Sequence, residues 1–399
     1  MTKWTLAAAR AALLAGVLAA LAGCASGIGA DFTVPAFHVY FALASANLNG
    51  SGQLQVAATD FLSGTGVAGR SVALLDGTVG GVPRLSGHVT LAQSPESLAY
   101  GDLDGDGLQD LVVLTADYNE ASHLGIYLQD PMRPGSYRMP QVVALPAGGS
   151  GVALADLDGD GRLEILTYAG GSLLLHQDPA RPGIFLAPVA LPAIPRGFLI
   201  CADLNGDGRI DLAVAAPDRT LRLFLQNPMT GCLEAGPVLT LAGVPVACCI
   251  GDLDGEGRPD LALALRTSES PSAGSIVIYA HDAGSAPAFH AVATGLTFTG
   301  GLGYGGLIFA DLDGDGRGDL AYTQQGPGLL SIGLQLAAAP GTFGTRTDKG
   351  GWTLPGALLA VDVDGDGRRD LLLAHSALEV LRQDPAHPGT FLAAVRLLP

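Results

Sequence analysis

The chain has 399 residues, among them 57 glycines and 25 prolines, and its formal net charge is −17. Charged residues make up only 15% of it and hydrophobic residues 48%, a composition that excludes an intrinsically disordered protein. The many glycines and prolines indicate frequent turns, as in an all-β protein with short strands. No basic cluster with interleaved aromatic residues occurs, which argues against nucleic-acid binding.

The N-terminus has the pattern of an export signal. Lys3 and Arg10 supply positive charge, residues 11–22 form a short apolar run, and LAGC follows at 21–24. Small residues before a Cys resemble the lipobox of bacterial lipoproteins, in which Cys24 is lipidated and begins the mature chain. The alternatives are a plain secretory signal and a membrane-spanning helix, for which the apolar run is short.

This pattern predicts a signal peptide at 1–23, a tether at 24–31 and a folded domain at 32–399. The protein is then expected to be an exported bacterial lipoprotein, held on a membrane of the cell envelope by its lipid. Ala25, rather than Asp, follows the Cys. The absence of Asp at position 25 favours the outer membrane over the inner membrane as the destination.

An acidic loop of nine residues recurs through the folded domain. Its copies start at Asp102, Asp156, Asp203, Asp252, Asp311 and Asp362 and read DLDGDGLQD, DLDGDGRLE, DLNGDGRID, DLDGEGRPD, DLDGDGRGD and DVDGDGRRD. A decayed copy, NLNGSGQLQ, starts at Asn47. Successive copies start about 50 residues apart, which is the period of one four-stranded propeller blade.

Short apolar runs such as GVALA at 151 and ILTYA at 165 flank each loop and indicate buried strands. Each loop is thus expected to join the first two strands of a unit. A second signal, exemplified by QDPARPGIF at 177, marks a Pro-Gly turn before a fourth strand. Seven such units predict an all-β, seven-bladed β-propeller of four-stranded blades. FTVPAFHVY at 32 is expected to form an extra strand or cap against the last blade.

Carboxylates or amides occupy positions one, three, five and nine of the six acidic copies, with Gly at four and six. Alternate spacing lets these side chains converge as the loop curls, and Gly permits the sharp turn. Converging carboxylates repel one another unless a cation lies between them. Hard oxygen ligands favour Ca²⁺ over softer metals and over Mg²⁺, which tends to keep its waters. The backbone carbonyl at position seven is expected to add a ligand.

The sequence therefore predicts up to six Ca²⁺ sites. The expected side-chain ligands are Asp102, Asp104, Asp106 and Asp110; Asp156, Asp158, Asp160 and Glu164; Asp203, Asn205, Asp207 and Asp211; Asp252, Asp254, Glu256 and Asp260; Asp311, Asp313, Asp315 and Asp319; and Asp362, Asp364, Asp366 and Asp370. An EF-hand is rejected, because the twelfth residue from Asp102 is Val113 and the flanks are strand-like. The decayed copy carries no charge, so no tight site is predicted there.

The loops hold 23 of the 38 acidic residues of the chain. Six bound Ca²⁺ ions would change the net charge of −17 to about −5. The acidity is thus a property of the predicted sites and gives no evidence for a basic partner.

The repeats GVALADLDGDGRLEILTYA and GGLIFADLDGDGRGDLAYT, with their later PGTF-type turns, resemble the FG-GAP (VCBS) repeats of integrin-α-type propellers. The resemblance extends over roughly residues 32–399. It implies a seven-bladed propeller, Ca²⁺ in the β-hairpin loops of the six acidic copies, and a role in recognition or adhesion. The first copy departs from the family pattern.

The face opposite the acidic loops is the expected place for a ligand, since propellers commonly bind at the mouth of the channel. Its candidate ligand-binding residues are Tyr118, Arg196, Arg219, Arg266 and Tyr304. The alternative for each of them is a solvent-exposed loop residue without a role in binding. Four cysteines of the domain, Cys201, Cys232, Cys248 and Cys249, lack zinc spacing; they are expected to be mostly buried thiols, with a disulfide left open.

Three functions fit the sequence. The first is a non-enzymatic, calcium-stiffened scaffold that recognises an unidentified protein or glycan. The second is a carbohydrate-active enzyme that uses the channel mouth, and the third is a structural subunit of an envelope complex. Scattered histidines and the absence of Gly-x-Ser-x-Gly and HExxH motifs favour a protein without enzymatic activity.

Overall fold

The computed structural model describes residues 37–398, apart from 40–41, 48–53, 64–69, 78–81, 118–119, 134, 254–255, 270–271, 283–287 and 303–304. The predicted signal peptide, its Cys24 and the tether lie outside these residues. The described part of the chain consists of strands, turns and irregular segments. It contains no helix of the length and apolarity needed to cross a membrane.

The strands follow one another in seven blades. Blade 1 contains β1 Phe37–Val39, β2 Leu43–Asn47, β3 Leu54–Ser63, β4 Ser71–Asp76 and β5 Arg84–Thr90. Blade 2 contains β6 Pro95–Gly101, β7 Asp110–Thr115, β8 Ala121–Tyr127 and β9 Gln141–Ala147. Blade 3 contains β10 Ser150–Ala155, β11 Glu164–Tyr168, β12 Ser172–Leu175 and β15 Val189–Ala190, with a small ladder of β13 Gln177–Asp178 and β14 Arg181–Phe185 at its turn.

The remaining blades are regular four-stranded sheets. Blade 4 contains β16 Phe198–Ala202, β17 Asp211–Ala216, β18 Thr220–Gln226 and β19 Leu233–Thr240. Blade 5 contains β20 Val244–Gly251, β21 Asp260–Glu269, β22 Ser272–His281 and β23 Phe289–Thr299. Blade 6 contains β24 Leu307–Ala310, β25 Asp319–Gln324, β26 Leu329–Gly333 and β27 Thr347–Gly350. Blade 7 contains β28 Leu358–Val361, β29 Asp370–Ala374, β30 Leu378–Leu381 and β31 Val395–Leu398. This arrangement confirms the predicted all-β, seven-bladed propeller of four-stranded blades.

The core lies between neighbouring blades, because the second strand of each blade is buried on both faces. In β7, Leu111 and Val113 pack against blade 1, whereas Val112 and Leu114 pack against blade 3. Successive side chains of a strand point to opposite faces of the sheet. This two-sided burial explains the continuous apolar runs that follow each acidic loop, where a half-exposed strand would alternate.

The ring closes by packing of the first blade against the last. Val56 and Leu75 of blade 1 share one apolar cluster with Leu372 and Val380 of blade 7. Blade 7 holds its own four strands, as the sequence predicts. The extra strand does not lie where the sequence placed it: β1 pairs with the end of β3 in blade 1, because β3 extends beyond the residues that pair with β2 and β4.

The packing of one aromatic ring between blades 5 and 6 requires glycine at two positions. Phe309 of β24 packs against their shared cluster. A methyl group added at Gly251, at the end of β20, or at Gly318, beside β25, would overlap that ring. The other acidic loops carry a larger residue where this loop has Gly318. These two glycines therefore make the space that the ring fills.

We predict that Gly318→Ala destabilises the fold by about 1–3 kcal/mol, because the new methyl group overpacks the ring of Phe309. Urea unfolding measures the loss, and Phe309→Leu in the same background should recover part of it. Gly87→Ala is the matched control, since a methyl group there meets no atom within 4 Å. Equal losses at Gly318 and Gly87 would contradict the packing argument.

Candidate functional site

The first aspartate of each acidic loop holds the loop in its curled form. In the loop at 102–110, the two carboxylate oxygens of Asp102 accept hydrogen bonds from the backbone N–H groups of Gly105, at 2.8 Å, and Gly107, at 3.0 Å. Both glycines have positive φ angles, +75° and +85°, which other residues rarely adopt. The loops that start at Asp156, Asp203, Asp311 and Asp362 repeat both hydrogen bonds.

The ninth residue is a buried carboxylate that joins the loop to the third strand of its blade. Asp110 accepts a hydrogen bond from Leu103 N at 2.8 Å on one oxygen and from Gln129 N at 2.7 Å on the other. The same two bonds are made by Asp211, Asp260, Asp319 and Asp370. Both oxygens of the ninth carboxylate accept backbone hydrogen bonds in these loops. This residue therefore stabilises the hairpin, and it also borders the predicted cation site.

Three predicted ligands converge in several of these loops. Carboxylate oxygens lie within 4.8 Å of one another in the sets Asp156, Asp158 and Asp160; Asp311, Asp313 and Asp315; Asp362, Asp364 and Asp366; and Asp102, Asp104 and Asp110. Such all-oxygen sets fit a hard divalent cation. Blade 4 has Asn205 at the third position, and Asp254 of blade 5 lies outside the described residues.

The electrostatics of the metal-free loops disfavour full ionisation. Burial raises the pKa of Asp110 and of Asp370 to about 6, of Asp319 to about 7 and of Glu164 to about 8. Burial, followed by repulsion from a neighbouring carboxylate, also raises the pKa of Asp104. A divalent cation among these groups would act in the opposite direction and favour the charged forms.

Sequence reasoning missed the basic residue at position seven, although it is repeated in five of the six loops. The side chain at this position pairs with the acid two residues earlier in four blades; these pairs are Arg209–Asp207, Arg258–Glu256, Arg317–Asp315 and Arg368–Asp366. Each pair offsets part of the charge at position five. A cation that binds the position-five carboxylate must therefore displace a guanidinium or share the carboxylate with it.

Sequence reasoning also missed the links between the loops of neighbouring blades. Gln335 at the start of the turn in blade 6 donates its side-chain N–H to Leu253 O, at 2.6 Å, in the loop of blade 5. Gln226 and Gln383 reach the preceding loops in the same way. In blade 5, His281 Nε2 lies 2.7 Å from Leu204 O. The Gln that recurs at the start of the turn after the third strand, as Gln226, Gln335 and Gln383, was the available signal.

Blade 1 replaces the buried carboxylate by an amide. Gln55 donates its side-chain N–H to Asp76 at 2.9 Å and accepts hydrogen bonds from the hydroxyls of Tyr100 and Tyr137 of blade 2, both at 2.9 Å. This network of an amide, a carboxylate and two hydroxyls holds the end of the loop. The absence of a tight site in the decayed copy stays a prediction, since the middle of that loop lies outside the described residues.

The predicted ligand-binding arginines belong to three different blades or their connections: Arg196 and Arg219 lie in loops, and Arg266 lies in β21. Arg196 lies over the ring of Tyr168, with 5.7 Å between the guanidinium carbon and the ring centroid. Arg219 is exposed in a turn with φ of +65°, and Arg266 lies 3.4 Å from Glu269. No contact between them appears among the described residues. The predicted Tyr118 and Tyr304 lie outside those residues.

A groove of about 570 Å³ lies between the outer strands of blades 6 and 7 and was not foreseen. Within it, Glu379 accepts a hydrogen bond from the indole N–H of Trp352 at 2.7 Å and lies 3.5 Å from the Nε2 atom of His375. Lys349 and the exposed Arg396 add positive charge along its wall. The groove therefore combines an aromatic ring with charged groups of both signs.

Four cysteines of the described chain are free thiols. Cys232 is exposed, and burial raises the pKa of Cys201 and of Cys248 to about 12. Burial also raises the pKa of Cys249 well above its usual value. Three of the four thiols are thus half-buried rather than fully buried, the fourth is exposed, and no disulfide joins these four.

Three stretches of the chain, residues 102–167, 203–263 and 252–322, match the family model described as an FG-GAP-like repeat. Each of the three begins at the first aspartate of an acidic loop. Integrin alpha-4 of Xenopus laevis is 30% identical over 226 residues, which make up 51% of this chain and 20% of that protein. The chain thus spans about a fifth of the length of this relative.

Two solved structures show the same fold. BBS1N in complex with ARL6DN aligns with a TM-score of 0.55 and 14% identity, over 93% of this chain and 97% of that chain. A protein from Lactobacillus plantarum aligns with a TM-score of 0.56 and 12% identity, over 91% and 97%. At these identities the likeness concerns the fold alone.

We predict that the metal-free protein loses stability as the pH rises from about 5 to about 8. The raised pKa values of Asp110, Asp319, Asp370 and Glu164 mean that the folded state binds more protons than the unfolded chain in this range. The lowered pKa of His375 makes the folded state more stable as the pH rises, but this is the effect of one group against that of four carboxyl groups. The melting temperature of metal-stripped protein, followed by circular dichroism across this range, measures the effect.

Calcium-saturated protein is the control, and its melting temperature should change much less across the same range, because a bound cation keeps the carboxylates charged in the folded state. A melting temperature of metal-free protein that stays level or rises over this range would contradict the assignment of buried, protonated carboxyl groups.

Proposed function

Because the chain is a seven-bladed β-propeller of FG-GAP-like repeats, we propose that it is a non-enzymatic, calcium-binding scaffold that recognises a protein or glycan at the cell envelope. The observation that carries this proposal is the repetition of one loop geometry in consecutive blades. In the loops of blades 3, 6 and 7 the backbone is tied to the first and ninth carboxylates, and oxygens of the first, third and fifth carboxylates lie within 4.8 Å of one another.

Calcium would bind at up to six loops and make the end of the propeller that carries them rigid. Support comes from the all-oxygen ligand sets and from the raised pKa of Asp319, which burial raises first and the neighbouring carboxylates raise further. The loops of blades 3, 4, 5 and 6 are linked to the next blade by Gln226, His281, Gln335 and Gln383, respectively, so an ion in one of these loops would also stabilise the contact with that blade. Binding only to the folded loops raises the stability of the whole ring.

We place a ligand site in the groove between blades 6 and 7. Trp352 offers an apolar ring, and Lys349, Glu379 and Arg396 offer donors and acceptors for hydroxyl or acidic groups. A concave surface with one aromatic ring and a few polar groups suits selective binding. The groove lies beside the loop that joins blade 6 to blade 7, and it is distinct from the predicted arginine positions.

We expect the full chain to retain a glycan or protein ligand in calcium, to lose most of this binding in chelator, and to lose it in Arg396→Glu, which reverses the charge of the groove. A glycan array and capture of partners from envelope extracts, each with and without chelator, measure the binding. Arg133→Glu, an exposed residue in the turn of blade 2, is the matched control.

Two further measurements separate the parts of this proposal. Calorimetric titration should give up to six calcium ions, and the double variant Asp313→Asn, Asp315→Asn should bind one ion fewer. Absence of bound calcium in folded protein would overturn the calcium scaffold. Ligand retention unchanged by Arg396→Glu would remove the groove as its site, and turnover of a captured glycan would overturn the non-enzymatic role.

The envelope location rests on the lipobox-like sequence that ends at Cys24. We expect the chain, expressed in a bacterium, to incorporate labelled fatty acid and to fractionate with membranes. Cys24→Ala should abolish both properties, whereas Cys232→Ala, which removes an exposed thiol of the propeller, should leave them unchanged. Labelling that survives Cys24→Ala would refute a lipid anchor at this residue.

A further inference from the structure

The loop of blade 3 differs from the other five acidic loops in two residues that lie next to each other in space. Its ninth position is Glu164, where the others have Asp, and His176 precedes the Gln of its turn. Leucine stands at the position of His176 in blades 2, 4 and 6, as Leu128, Leu225 and Leu334. The two exceptions occur in the same blade, and their side chains face each other.

The additional methylene group of Glu164 changes what its carboxylate does. In the other loops both oxygens of the ninth residue accept backbone N–H groups, as Asp319 accepts Leu312 N and Gln335 N. Glu164 accepts one such bond, from Leu157 N at 2.8 Å. Among the described residues no N–H group donates to its second oxygen, although the side chain is only 1% exposed. That oxygen faces His176, with 3.9 Å between it and Nδ1.

His176 completes a mixed set of ligand atoms. Its Nδ1 atom lies 3.1 Å from an oxygen of Asp158, the third residue of the same loop. The nitrogen and the oxygens of Asp158 and Glu164 all lie within 4.8 Å of one another. Ligand atoms that surround a tetrahedral ion at about 2.1 Å are separated by about 3.4 Å, so the observed spacing needs only a small adjustment.

We propose that blade 3 binds a divalent transition metal of the zinc type through Asp158, Glu164 and His176. One imidazole nitrogen and two carboxylate oxygens form a ligand set of the kind that suits Zn²⁺ and its neighbours, whereas Ca²⁺ takes oxygen ligands. A buried carboxylate oxygen that lacks a hydrogen-bond donor gives the set a reason to hold a cation. Asp158 also belongs to the calcium ligands predicted from sequence, so blade 3 would be the loop whose metal preference differs from the rest.

A simple ion pair is the competing explanation. In blade 7, Arg382 occupies the position of His176 and lies 3.8 Å from Asp364. A protonated His176 could serve Asp158 in the same way, without a metal. The two explanations differ in what arginine at position 176 would do, since it can form an ion pair but cannot bind zinc.

The test uses the full chain, stripped of metal and dialysed against Zn²⁺ alone, with bound metal measured by mass spectrometry. We expect one zinc ion per chain that is lost in His176→Leu and in His176→Arg. Co²⁺ in place of Zn²⁺ should give a visible absorption band in the parent protein and none in either variant. His387→Leu is the matched control, because His387 lies 2.9 Å from Asp384 in the turn of blade 7 and is exposed.

Zinc binding that is absent from the parent, or that persists in both His176 variants, would overturn the proposal. A second readout is the melting temperature: zinc should raise it in the parent and in His387→Leu but not in His176→Arg. Calcium titrations of the same samples keep the two metal proposals apart. We expect His176→Leu to lose zinc while the other loops retain calcium. A protein that binds zinc but no calcium would refute the calcium scaffold and leave the zinc site standing.

Discussion

The structure depends on the packing of each blade against both of its neighbours. The second strand of each blade is buried on both faces along most of its described length, so alternate residues such as Leu111 and Val112 belong to two different apolar clusters. A single blade could bury only part of its apolar surface, and it gains its core only when the ring is complete. Contact between Val56 of blade 1 and Leu372 of blade 7 therefore has the same physical role as every other junction.

The acidic loops are the polar counterpart of this packing. Their ninth carboxylates lie at the edge of the apolar clusters, where Asp319 accepts two backbone hydrogen bonds and loses contact with water. Burial raises its pKa, and the carboxylates that surround it work in the same direction. The arginines at position seven reduce the charge at position five, and Gln335 ties the loop of one blade to the turn of the next. The loops thus combine a role in the fold with a capacity for cations.

Departures from the repeat are as informative as the repeat itself. Blade 1 replaces the ninth carboxylate with Gln55, whose amide is hydrogen-bonded to two tyrosine hydroxyls and to Asp76. Blade 3 lengthens the ninth side chain and adds His176 beside it. Blade 6 has Gly318 where the other loops have a larger residue, and the ring of Phe309 fills that space at the junction with blade 5. Each departure changes the chemistry of one blade and leaves the four-stranded sheet intact.

The sequence alone determined the repeat, the number of blades and the convergence of carboxylates, because strand period, turn residues and alternate acidic positions are local properties of the chain. Tertiary structure decided what depends on partners distant in sequence. The pairing of β1 with the end of β3 and the approach of His176 to Glu164 bring together different strands of one blade. The bond from Gln335 to the preceding loop and the groove around Trp352 depend on how neighbouring blades pack. Period and spacing fix which residues share a face of one blade, whereas contacts between blades depend on how seven sheets pack around a common axis.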